Sequence, residues 1–299
     1  MSKKFGWIGT GVMGFSMCKH LMKAGNQVSV YNRTMSKAQG LIDLGAKASD
    51  PISIAKEVDY LYLIVSFPED VERMTICPQN GILKHMKKGS FIIDHTTSSP
   101  SLAKKIEEEA KKYGVYSYDI PVVGGDLGAK NGTLNVMAGG DKEKFSEVEQ
   151  TIKPYCQNIR YCGEAGSGQQ TKLINQIILG HNITGVCEAI IFAYKAGLDV
   201  KETINYLAKG SAASTQLSFY FPRMEKRDFE PGFYAEHFLK DLKLAVEECD
   251  RMGIKLKNLE LVTEMFDVMC KEGFEKKGHH GLLLLLEKMN KLKAILVKN

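Results

Sequence analysis

A glycine-rich turn directly after the first apolar segment constrains the fold of this chain more than any other feature. Residues Phe5–Ile8 predict a short strand, and the sequence Gly9-Thr10-Gly11-Val12-Met13-Gly14 follows at once and opens a helical pattern. In such a strand–turn–helix, Gly9 allows the tight turn, Gly11 lets the backbone approach a pyrophosphate, and Gly14 permits close packing of helix on strand. The N–H groups and dipole of a helix N-terminus favour bound phosphate. The segment therefore predicts a dinucleotide site rather than a turn without a ligand.

The rest of the first half alternates short apolar runs with helical patterns. The runs of strand length are Gln27–Tyr31, Tyr60–Val65, Phe91–Asp94, Tyr116–Asp119 and Leu134–Ala138, and the helical patterns are Met13–Ala24 and Ser36–Leu44. Strands separated by helices imply βαβ units and a parallel sheet with helices on both faces. Buried parallel strands are continuously apolar, as Leu61–Val65 is.

The second half of the sequence predicts helices only. The helical patterns are Gln169–Ala196, Val200–Lys209, His237–Met252, Asn258–Lys271 and Leu282–Val297. The glycine-rich segment Gly163–Gly168 precedes them and has the composition of a hinge. We therefore predict an α/β fold in which a Rossmann-type parallel-sheet domain, residues 1–163, is joined through a long helix to an all-helical domain, residues 164–299.

Charge and cysteine content exclude several classes of partner. The 299 residues include 40 Lys and Arg against 35 Asp and Glu, a net charge of +5. Because the basic residues are interleaved with acids, no nucleic acid is expected, whereas small anionic ligands suit the balance. No run of about eighteen apolar residues exists, so no membrane span is expected. The seven cysteines form no CxxC pair, which fits a reducing compartment, and no apolar signal core is present, so the predicted location is cytoplasmic.

No metal site is predicted. The adjacent histidines His279 and His280 are the one pair that invites such an interpretation. Neighbouring residues on a helix point about 100° apart and rarely share one ion. A place in the first turn of a helix is therefore the preferred interpretation.

The end of the second predicted strand indicates which dinucleotide is bound. Proteins that select NAD usually place Asp or Glu here, where it holds the ribose 2′-hydroxyl. This strand ends instead in Asn32, Arg33 and Thr34. No carboxylate repels a 2′-phosphate, and the Arg33 guanidinium can pair with one. NADP is the preferred cofactor, and NAD stays open because Asn32 can also bond a ribose.

Lys172 is a candidate acid/base within the long helical pattern. Asn175 and Gln176 lie three and four residues later, so all three side chains share one helix face. The neighbouring residues are apolar, and burial makes the proton of a lysine easier to release, which suits general acid/base catalysis. From the spacing alone, a surface lysine whose stem covers apolar residues is the preferred interpretation.

Six motifs in order along nearly the whole chain resemble those of the β-hydroxyacid dehydrogenases. They are Gly9–Gly14, Asp94–Pro100, Asp119–Gly125, Gly132–Leu134 with Gly139–Asp141, the Lys172 helix, and Leu239–Leu242. This family includes 3-hydroxyisobutyrate dehydrogenase, tartronate semialdehyde reductase and glyoxylate/succinic semialdehyde reductase. The resemblance implies an NAD(P)-dependent enzyme in which Lys172 is the catalytic acid/base.

The resemblance also implies the remaining site residues and a helical domain that binds substrate and pairs with another copy. For substrate binding it implies Thr97, Val123, Gly124, Gly125, Asn175, Gln176, Phe233 and Asp241. For cofactor binding it implies Gly9, Thr10, Gly11, Val12, Met13, Gly14, Asn32, Arg33, Thr34, Val65, Ser66, Thr97 and Lys240. The expected assembly is a homodimer or homotetramer.

Val123 departs from the family pattern, which usually has Ser before the Gly124-Gly125 pair. A valine cannot donate a hydrogen bond, so substrates with extra hydroxyls, such as tartronate semialdehyde, lose a partner. The prediction is therefore NADPH-dependent reduction of glyoxylate and succinic semialdehyde to hydroxy acids. The alternatives are an NAD-dependent 3-hydroxyisobutyrate dehydrogenase, an imine reductase, and a catalytically silent NADP-binding protein.

Overall fold

A computed structural model describes residues 3–296 and divides the chain into two compact units, Met1–Lys172 and Leu173–Asn299. Within residues 3–296, the first unit contains nine strands, and the regular elements of the second are all helices. The strands are β1 Phe5–Ile8, β2 Val28–Tyr31, β3 Lys47–Ala48, β4 Tyr60–Leu63, β5 Phe91–Asp94, β6 Tyr116–Asp119, β7 Val122–Val123, β8 Leu134–Gly140 and β9 Cys156–Gly163. The predicted α/β class, with a Rossmann-type sheet domain followed by a helical domain, is confirmed.

The sheet has the order β3-β2-β1-β4-β5-β6-β8-β7, with β9 beside β8. Strands β1 to β6 pair in parallel, as predicted, whereas β8 runs antiparallel to both β6 and β7. The sheet is therefore mainly parallel, and the antiparallel pairs of β8 were not predicted. The chain leaves β1 towards β2 on one side and returns to β4 on the other. This reversal of strand order is the position at which open α/β sheets bind ligands.

Alternating side chains of the central strands cover both faces of the sheet. Trp7 and Tyr62 point to one buried cluster, and Ile8, Leu61 and Leu63 point to the other. Because both faces are buried, these strands are apolar without interruption, which made them readable in the sequence. By contrast β9 is mostly polar and partly exposed, and the sequence analysis missed it, as it missed the two-residue strands β3 and β7.

Seven helices accompany the sheet in the described part of the first unit, and an eighth begins there. They are α1 Val12–Lys23, α2 Gln39–Ile42, α3 Pro51–Glu57, α4 Pro68–Thr75, α5 Pro100–Lys112, α6 Gly125–Asn131, α7 Phe145–Ile152 and α8 Ser167–Lys195. The predicted helix Ser36–Leu44 is instead a 3₁₀ turn, Met35–Ala38, followed by the short α2. The division between the units falls within α8, after Lys172, whereas the predicted domain boundary lies at residue 163.

The described residues of the second unit pack the rest of α8 with five further α-helices around their own apolar core. They are α9 Val200–Leu207, α10 Phe221–Glu225, α11 Ala235–Met252, α12 Lys257–Met269 and α13 Leu282–Met289. Helix α13 ends well before the predicted Val297, which lies outside the described residues. Lys291 and Ala294 have positive φ angles of 54° and 43°, which a continuing helix does not allow.

Helix α8 has the length and composition that a membrane-crossing helix needs. It has 29 residues and contains an 18-residue window with a mean hydropathy of 1.5. The sequence analysis predicted no membrane span because no uninterrupted run of about eighteen apolar residues exists; the present criterion, mean hydropathy over a helical window, is a different one. One such helix is weak evidence for a span, since the core helix of a soluble protein passes the same test. Ile183, Cys187 and Ile190 of α8 are fully buried in the helical unit.

Candidate active site

The turn after β1 has a shape that only glycine allows at two positions. Gly9 has a φ of 98°, and a Cβ there would lie 1.9 Å from the backbone oxygen of Ile64. A Cβ at Gly14 would lie 2.1 Å from the backbone oxygen of Gly9, so helix α1 starts in direct contact with the turn. A Cβ at Gly11 would meet no described atom within 4 Å. The turn is thus closed towards the protein and open at Gly11, where a pyrophosphate fits.

Asn32, after β2, holds this turn in place. Its Oδ1 accepts a hydrogen bond from the backbone N of Thr10 at 2.9 Å, and its Nδ2 donates to the backbone oxygen of Thr34 at 2.9 Å. Both polar ends of the amide are therefore engaged within the protein. Thr10 is buried, and its Oγ1 has no hydrogen-bond partner among residues 3–296. This orphaned hydroxyl in a glycine turn fits a site completed by a bound phosphate group.

The guanidinium of Arg33 lies at the open end of β2. Its side chain is 82% exposed, and Nη1 lies 4.0 Å from Oδ1 of Asp70 on α4. The same carboxylate accepts a hydrogen bond from Arg73, one turn later on α4. Two guanidinium groups therefore share one anion beside β2, and a pair at 4.0 Å whose arginine is exposed is weak enough to exchange partners.

The loops after β1, β4 and β5 meet at the same edge of the sheet. The register places Ile8 beside Leu63 and Leu63 beside Asp94, so the segments that follow are neighbours. The backbone N of Val65 donates to Oγ1 of Thr96 at 3.0 Å, which ties the β4 and β5 loops together. The structure thereby brings the glycine turn, the segment of Val65 and Ser66, and the Thr97 segment to one edge.

Lys172 is buried, with 7% of its surface exposed, and lies in the second turn of α8. Its Nζ donates a hydrogen bond to the backbone oxygen of Val122 at 3.0 Å. Val123, Gly124 and Gly125 follow directly, and both glycines have positive φ angles, 132° and 63°. The buried amine and the Val123–Gly125 loop, which the sequence analysis selected separately, are therefore adjacent in the structure. A surface lysine is excluded by this burial.

Two residues that hold the start of α8, Asp119 and Gln169, are absent from the predicted site residues. The Asp119 carboxylate accepts hydrogen bonds from the backbone N of Gly166 at 2.7 Å and of Gln169 at 2.8 Å. Burial raises the pKa of Asp119 to about 6, although these hydrogen bonds act in the opposite direction. Asp119 was part of a quoted motif, but nothing in its local sequence reveals a partner about fifty residues away.

Four polar residues of the helical unit form one hydrogen-bonded group. Nδ2 of Asn175 donates to Oε1 of Gln176 at 2.7 Å, and Nε2 of Gln176 donates to Oδ2 of Asp241 at 2.6 Å. Nζ of Lys240 lies 2.9 Å from Oδ1 of Asp241. Asp241 is almost fully buried, and burial of a carboxylate is costly unless hydrogen-bonding and charged partners of this kind surround it. The structure thus brings Asn175, Gln176, Lys240 and Asp241 together in one group of hydrogen bonds and an ion pair.

Phe233 belongs to a different environment within the same unit. Its ring lies 5.5 Å from that of Phe238 and 5.9 Å from that of His279. His279 and His280 form a 3₁₀ turn directly before α13, and burial lowers their pKa values to about 3 and about 4. Both histidines are therefore neutral packing residues at the start of a helix, as the sequence analysis preferred. Among residues 3–296, no group of three or more His, Cys, Asp or Glu side chains could hold a metal ion.

Two family descriptions match the two parts of the chain. Residues 4–163 match the NAD binding domain of 6-phosphogluconate dehydrogenase. Residues 166–286 match the NAD-binding region of NADP-dependent 3-hydroxyisobutyrate dehydrogenase. Together these matches cover nearly the whole chain.

Named relatives agree with these matches over nearly their full lengths. The chain is 44% identical over 288 residues to probable 3-hydroxyisobutyrate dehydrogenase-like 1, mitochondrial, of Arabidopsis thaliana, covering 96% of this chain and 86% of the relative. It is 34% identical over 287 residues to 2-hydroxy-3-oxopropionate reductase of Escherichia coli, covering 96% and 98%. It is 30% identical over 290 residues to 3-hydroxyisobutyrate dehydrogenase, mitochondrial, of Mus musculus, covering 94% and 86%.

Solved structures share the fold at lower identity. Mycobacterium tuberculosis 3-hydroxyisobutyrate dehydrogenase with L-serine superposes with a TM-score of 0.87 at 24% identity, covering 96% of this chain and 99% of that one. An imine reductase from Myxococcus stipitatus in complex with NADP⁺ superposes less well, with a TM-score of 0.64 at 17% identity, covering 95% and 99%. At these identities the likeness concerns the fold alone.

Proposed function

The chain belongs to the β-hydroxyacid dehydrogenase family of NAD(P)-dependent oxidoreductases, and from this premise we propose that it reduces small aldehyde acids with NADPH. The substrates that we propose are glyoxylate and succinic semialdehyde. The observation that carries the proposal is the buried amine of Lys172, 3.0 Å from the oxygen of Val122 and next to the Gly124-Gly125 loop. An ammonium group and backbone donors are thereby available to one small carbonyl acid.

In this proposal, four residues of the first unit have defined roles in the reaction. The bound nicotinamide supplies the hydride, which is chemistry that no amino-acid side chain provides. Lys172 Nζ, as ammonium, polarises the aldehyde oxygen and delivers a proton to it, and as the free amine it accepts that proton in the oxidative direction. The backbone N–H groups of Gly124 and Gly125 bind the substrate carboxylate. Thr97 orients the substrate and the nicotinamide ribose.

The proposed preference for NADP rests on the end of β2. The exposed Arg33 guanidinium can exchange Asp70 for a 2′-phosphate, a bidentate partner that suits arginine better than lysine. Asn32 has both ends of its amide engaged with the backbone of Thr10 and Thr34, which leaves it poorly placed to select a ribose hydroxyl. The residues present therefore fit NADP, and we propose NAD as a weaker alternative.

The proposed substrate preference rests on Val123, which stands beside the two glycines. Its side chain is half-buried and apolar, so it offers no partner to a second hydroxyl of the substrate. The same apolar contact does not weaken the binding of a substrate with an unsubstituted aliphatic chain. This favours glyoxylate and succinic semialdehyde over tartronate semialdehyde.

The helical unit contributes the hydrogen-bonded cluster of Asn175, Gln176, Lys240 and Asp241. We propose that the two amides orient the substrate, with Asp241 fixing Gln176 and Lys240 contacting the cofactor. Phe233 supplies an apolar wall.

The helical unit also exposes large apolar side chains, Phe192 and Tyr206 at 75% each. Exposed apolar side chains of this size support a homodimer or homotetramer, to be checked by sedimentation equilibrium. Seven free cysteines support a cytoplasmic location, to be checked by cell fractionation.

A second candidate is an NAD-dependent 3-hydroxyisobutyrate dehydrogenase, which the names of the Arabidopsis and mouse relatives favour. An imine reductase and a silent NADP-binding protein have less support, because proteins of both kinds commonly lack the lysine that this chain has at position 172. Initial rates of NADPH and NADH oxidation with glyoxylate, succinic semialdehyde and tartronate semialdehyde test the proposal. Reduction of NAD⁺ with 3-hydroxyisobutyrate tests the second candidate in the same preparation.

We expect fast oxidation of NADPH with glyoxylate and succinic semialdehyde and slow oxidation of NADPH with tartronate semialdehyde. Faster turnover of NAD⁺ with 3-hydroxyisobutyrate would replace it with the second candidate. Tight NADPH binding without any turnover would leave the imine reductase or the silent protein.

A further inference from the structure

A distant carboxylate caps the helix that carries Lys172. Asp119 is the last residue of β6, and its two oxygens accept hydrogen bonds from the backbone N of Gly166 and of Gln169, at 2.7 and 2.8 Å. The first N–H groups of a helix have no partner within the helix, so a carboxylate there is a strong, charge-assisted cap. Because the cap comes from the sheet, it fixes the start of α8 relative to β6.

The surroundings of this carboxylate leave almost no freedom for movement. A Cβ at Gly139 would lie 2.6 Å from Oδ1 of Asp119, and a Cβ at Gly168 would lie 2.3 Å from its backbone oxygen. Neither position accepts a side chain, since real Cβ atoms do not come so close to backbone or carboxylate oxygens. The helix start is therefore seated directly against the strand.

Gln169 extends the same connection to the Thr97 segment. Its side chain is fully buried, its Oε1 accepts from the backbone N of Ser98 at 2.9 Å, and its Nε2 donates to the backbone oxygen of Thr96 at 2.8 Å. These two residues flank Thr97. One side-chain amide therefore holds the backbone on both sides of Thr97 to the first turn of α8.

Lys172 lies at the far end of this arrangement. It follows Gln169 by three residues, one helical turn, and its Nζ donates to the oxygen of Val122, three residues after Asp119. The segments Asp119–Val122 and Gly166–Lys172 are therefore joined at both ends. A displacement of either segment moves the amine relative to Thr97 and to the Gly124-Gly125 loop.

We propose that Asp119 and Gln169 are positioning residues that set the place of the Lys172 amine for proton transfer. They act through the backbone of α8 and of the Thr97 segment and do not touch the substrate. This inference rests on the proposed role of Lys172 as acid/base. A misplacement of about 1 Å at a reacting group costs on the order of 10²-fold in rate, so the loss of either residue should be visible in turnover.

The test compares Gln169→Leu with Gln170→Leu in the full-length enzyme. Leu fills a similar volume but removes both hydrogen bonds of the amide, whereas Gln170 is the exposed neighbour on the same turn. For Gln169→Leu we expect kcat to fall about 10- to 100-fold per NADPH-binding site, with a larger solvent isotope effect, because proton transfer becomes slower. Gln170→Leu should keep the wild-type kcat and isotope effect.

Asp119→Asn provides a second variant in case Gln169→Leu does not fold. It keeps the shape of the side chain but replaces one acceptor by an NH₂ group that faces a backbone N–H. We expect the same direction of change in kcat and in the isotope effect. A merely structural role would lower the melting temperature and leave both quantities unchanged per NADPH-binding site, which overturns the inference.

Lys172→Ala, assayed in parallel, separates this inference from the proposed function. If Lys172→Ala loses turnover while Gln169→Leu and Asp119→Asn match Gln170→Leu, only the positioning role fails. If Lys172→Ala retains turnover, or if the wild type reduces none of the aldehyde acids, the proposed function fails and the positioning role with it.

Discussion

The side chain of Lys172 and the backbone of Val122 are joined by a hydrogen bond of 3.0 Å, which the amine donates. The bond connects helix α8 to the segment that leads into Gly124 and Gly125. It holds the buried amine in one place before any substrate arrives, so little reorganisation is needed at the moment of reaction. Two features that the sequence presents about fifty residues apart thus become one candidate catalytic centre.

Replacement of Lys172 by alanine should abolish most of the turnover and leave cofactor binding intact. General acid/base catalysis contributes about 10²–10⁴-fold to the rate, so we expect kcat to fall by at least that range. The glycine turn and Arg33 are separate from the lysine in sequence and are unchanged. Steady-state rates together with fluorescence titration of NADPH measure both quantities.

Lys111→Ala is the matched control for this change, because Lys111 is an exposed lysine of α5 that pairs with Glu107 of its own helix and lies outside the candidate site. It should keep the wild-type rate. Retained turnover in Lys172→Ala would refute the assignment of Lys172 as acid/base.

Replacement of Arg33 by alanine should reduce the preference for NADPH over NADH. A hydrogen bond to a charged group contributes about 1.5–3 kcal/mol, so the KM for NADPH should rise by roughly 10- to 100-fold. The KM for NADH should change little, because NADH has no 2′-phosphate for Arg33 to bind. Initial rates at varied concentrations of both cofactors give the ratio.

Arg160→Ala, which removes an exposed arginine from β9, controls for the loss of one positive charge. It should change neither KM. An equal rise in both KM values for Arg33→Ala would mean that Arg33 supports the fold of the site instead of selecting the phosphate.

Three strands could be predicted from the sequence with their bounds, whereas β4, also buried on both faces, ends at Leu63 and not at the predicted Val65. Strands β1, β5 and β6 match the predicted Phe5–Ile8, Phe91–Asp94 and Tyr116–Asp119 at both ends. Burial on both faces makes every residue apolar or tightly packed, so local composition carries the signal. The polar strand β9 lacks that signal and takes its conformation from β8, to which it pairs over most of its length.

The candidate site likewise contains features that the sequence could predict and contacts that it could not. The spacing of Lys172, Asn175 and Gln176 was visible in the sequence because a helix repeats every 3.6 residues. The bonds of Asp119 to the start of α8 and of Gln169 to the Thr97 segment depend on which distant segments become neighbours, and one sequence contains no local trace of that. The same holds for the pairing of Arg33 with Asp70.

Replacement of Val123 by serine should extend the substrate range to tartronate semialdehyde. The new hydroxyl supplies a hydrogen-bond partner beside Gly124, and one such bond contributes about 0.5–1.5 kcal/mol, or roughly 2- to 10-fold in kcat/KM. Turnover of succinic semialdehyde should not rise. Val123→Ala removes the same methyl groups without adding a donor, so a gain for tartronate semialdehyde in both variants would indicate extra space and not a hydrogen bond.

The stability of the sheet unit should decrease as the pH falls, because of His95. This residue is fully buried, with Nδ1 2.7 Å from the oxygen of Ile120 and Nε2 2.9 Å from the hydroxyl of Tyr155. Burial lowers its pKa from 6.5 to about 4. The unfolded chain therefore binds a proton at a higher pH than the folded protein, and stability that is present above about pH 6.5 is lost as the pH falls towards 4.

The size of this effect is on the order of 3 kcal/mol, from about 2.5 pKa units at 1.36 kcal/mol each. Urea unfolding between pH 7 and pH 4.5, followed by the fluorescence of Trp7, measures it. Trp7 is the single tryptophan, and its ring lies 6.0 Å from that of His95, so the signal reports on this unit.

His95→Gln is the control variant, because glutamine keeps polar atoms but cannot take up the proton. The free energy of unfolding of this variant should depend less on pH. Asp119, with its raised pKa, acts in the opposite direction in both proteins. Its contribution therefore cancels in the comparison, and identical pH dependence in the two proteins would show that His95 is not the group responsible.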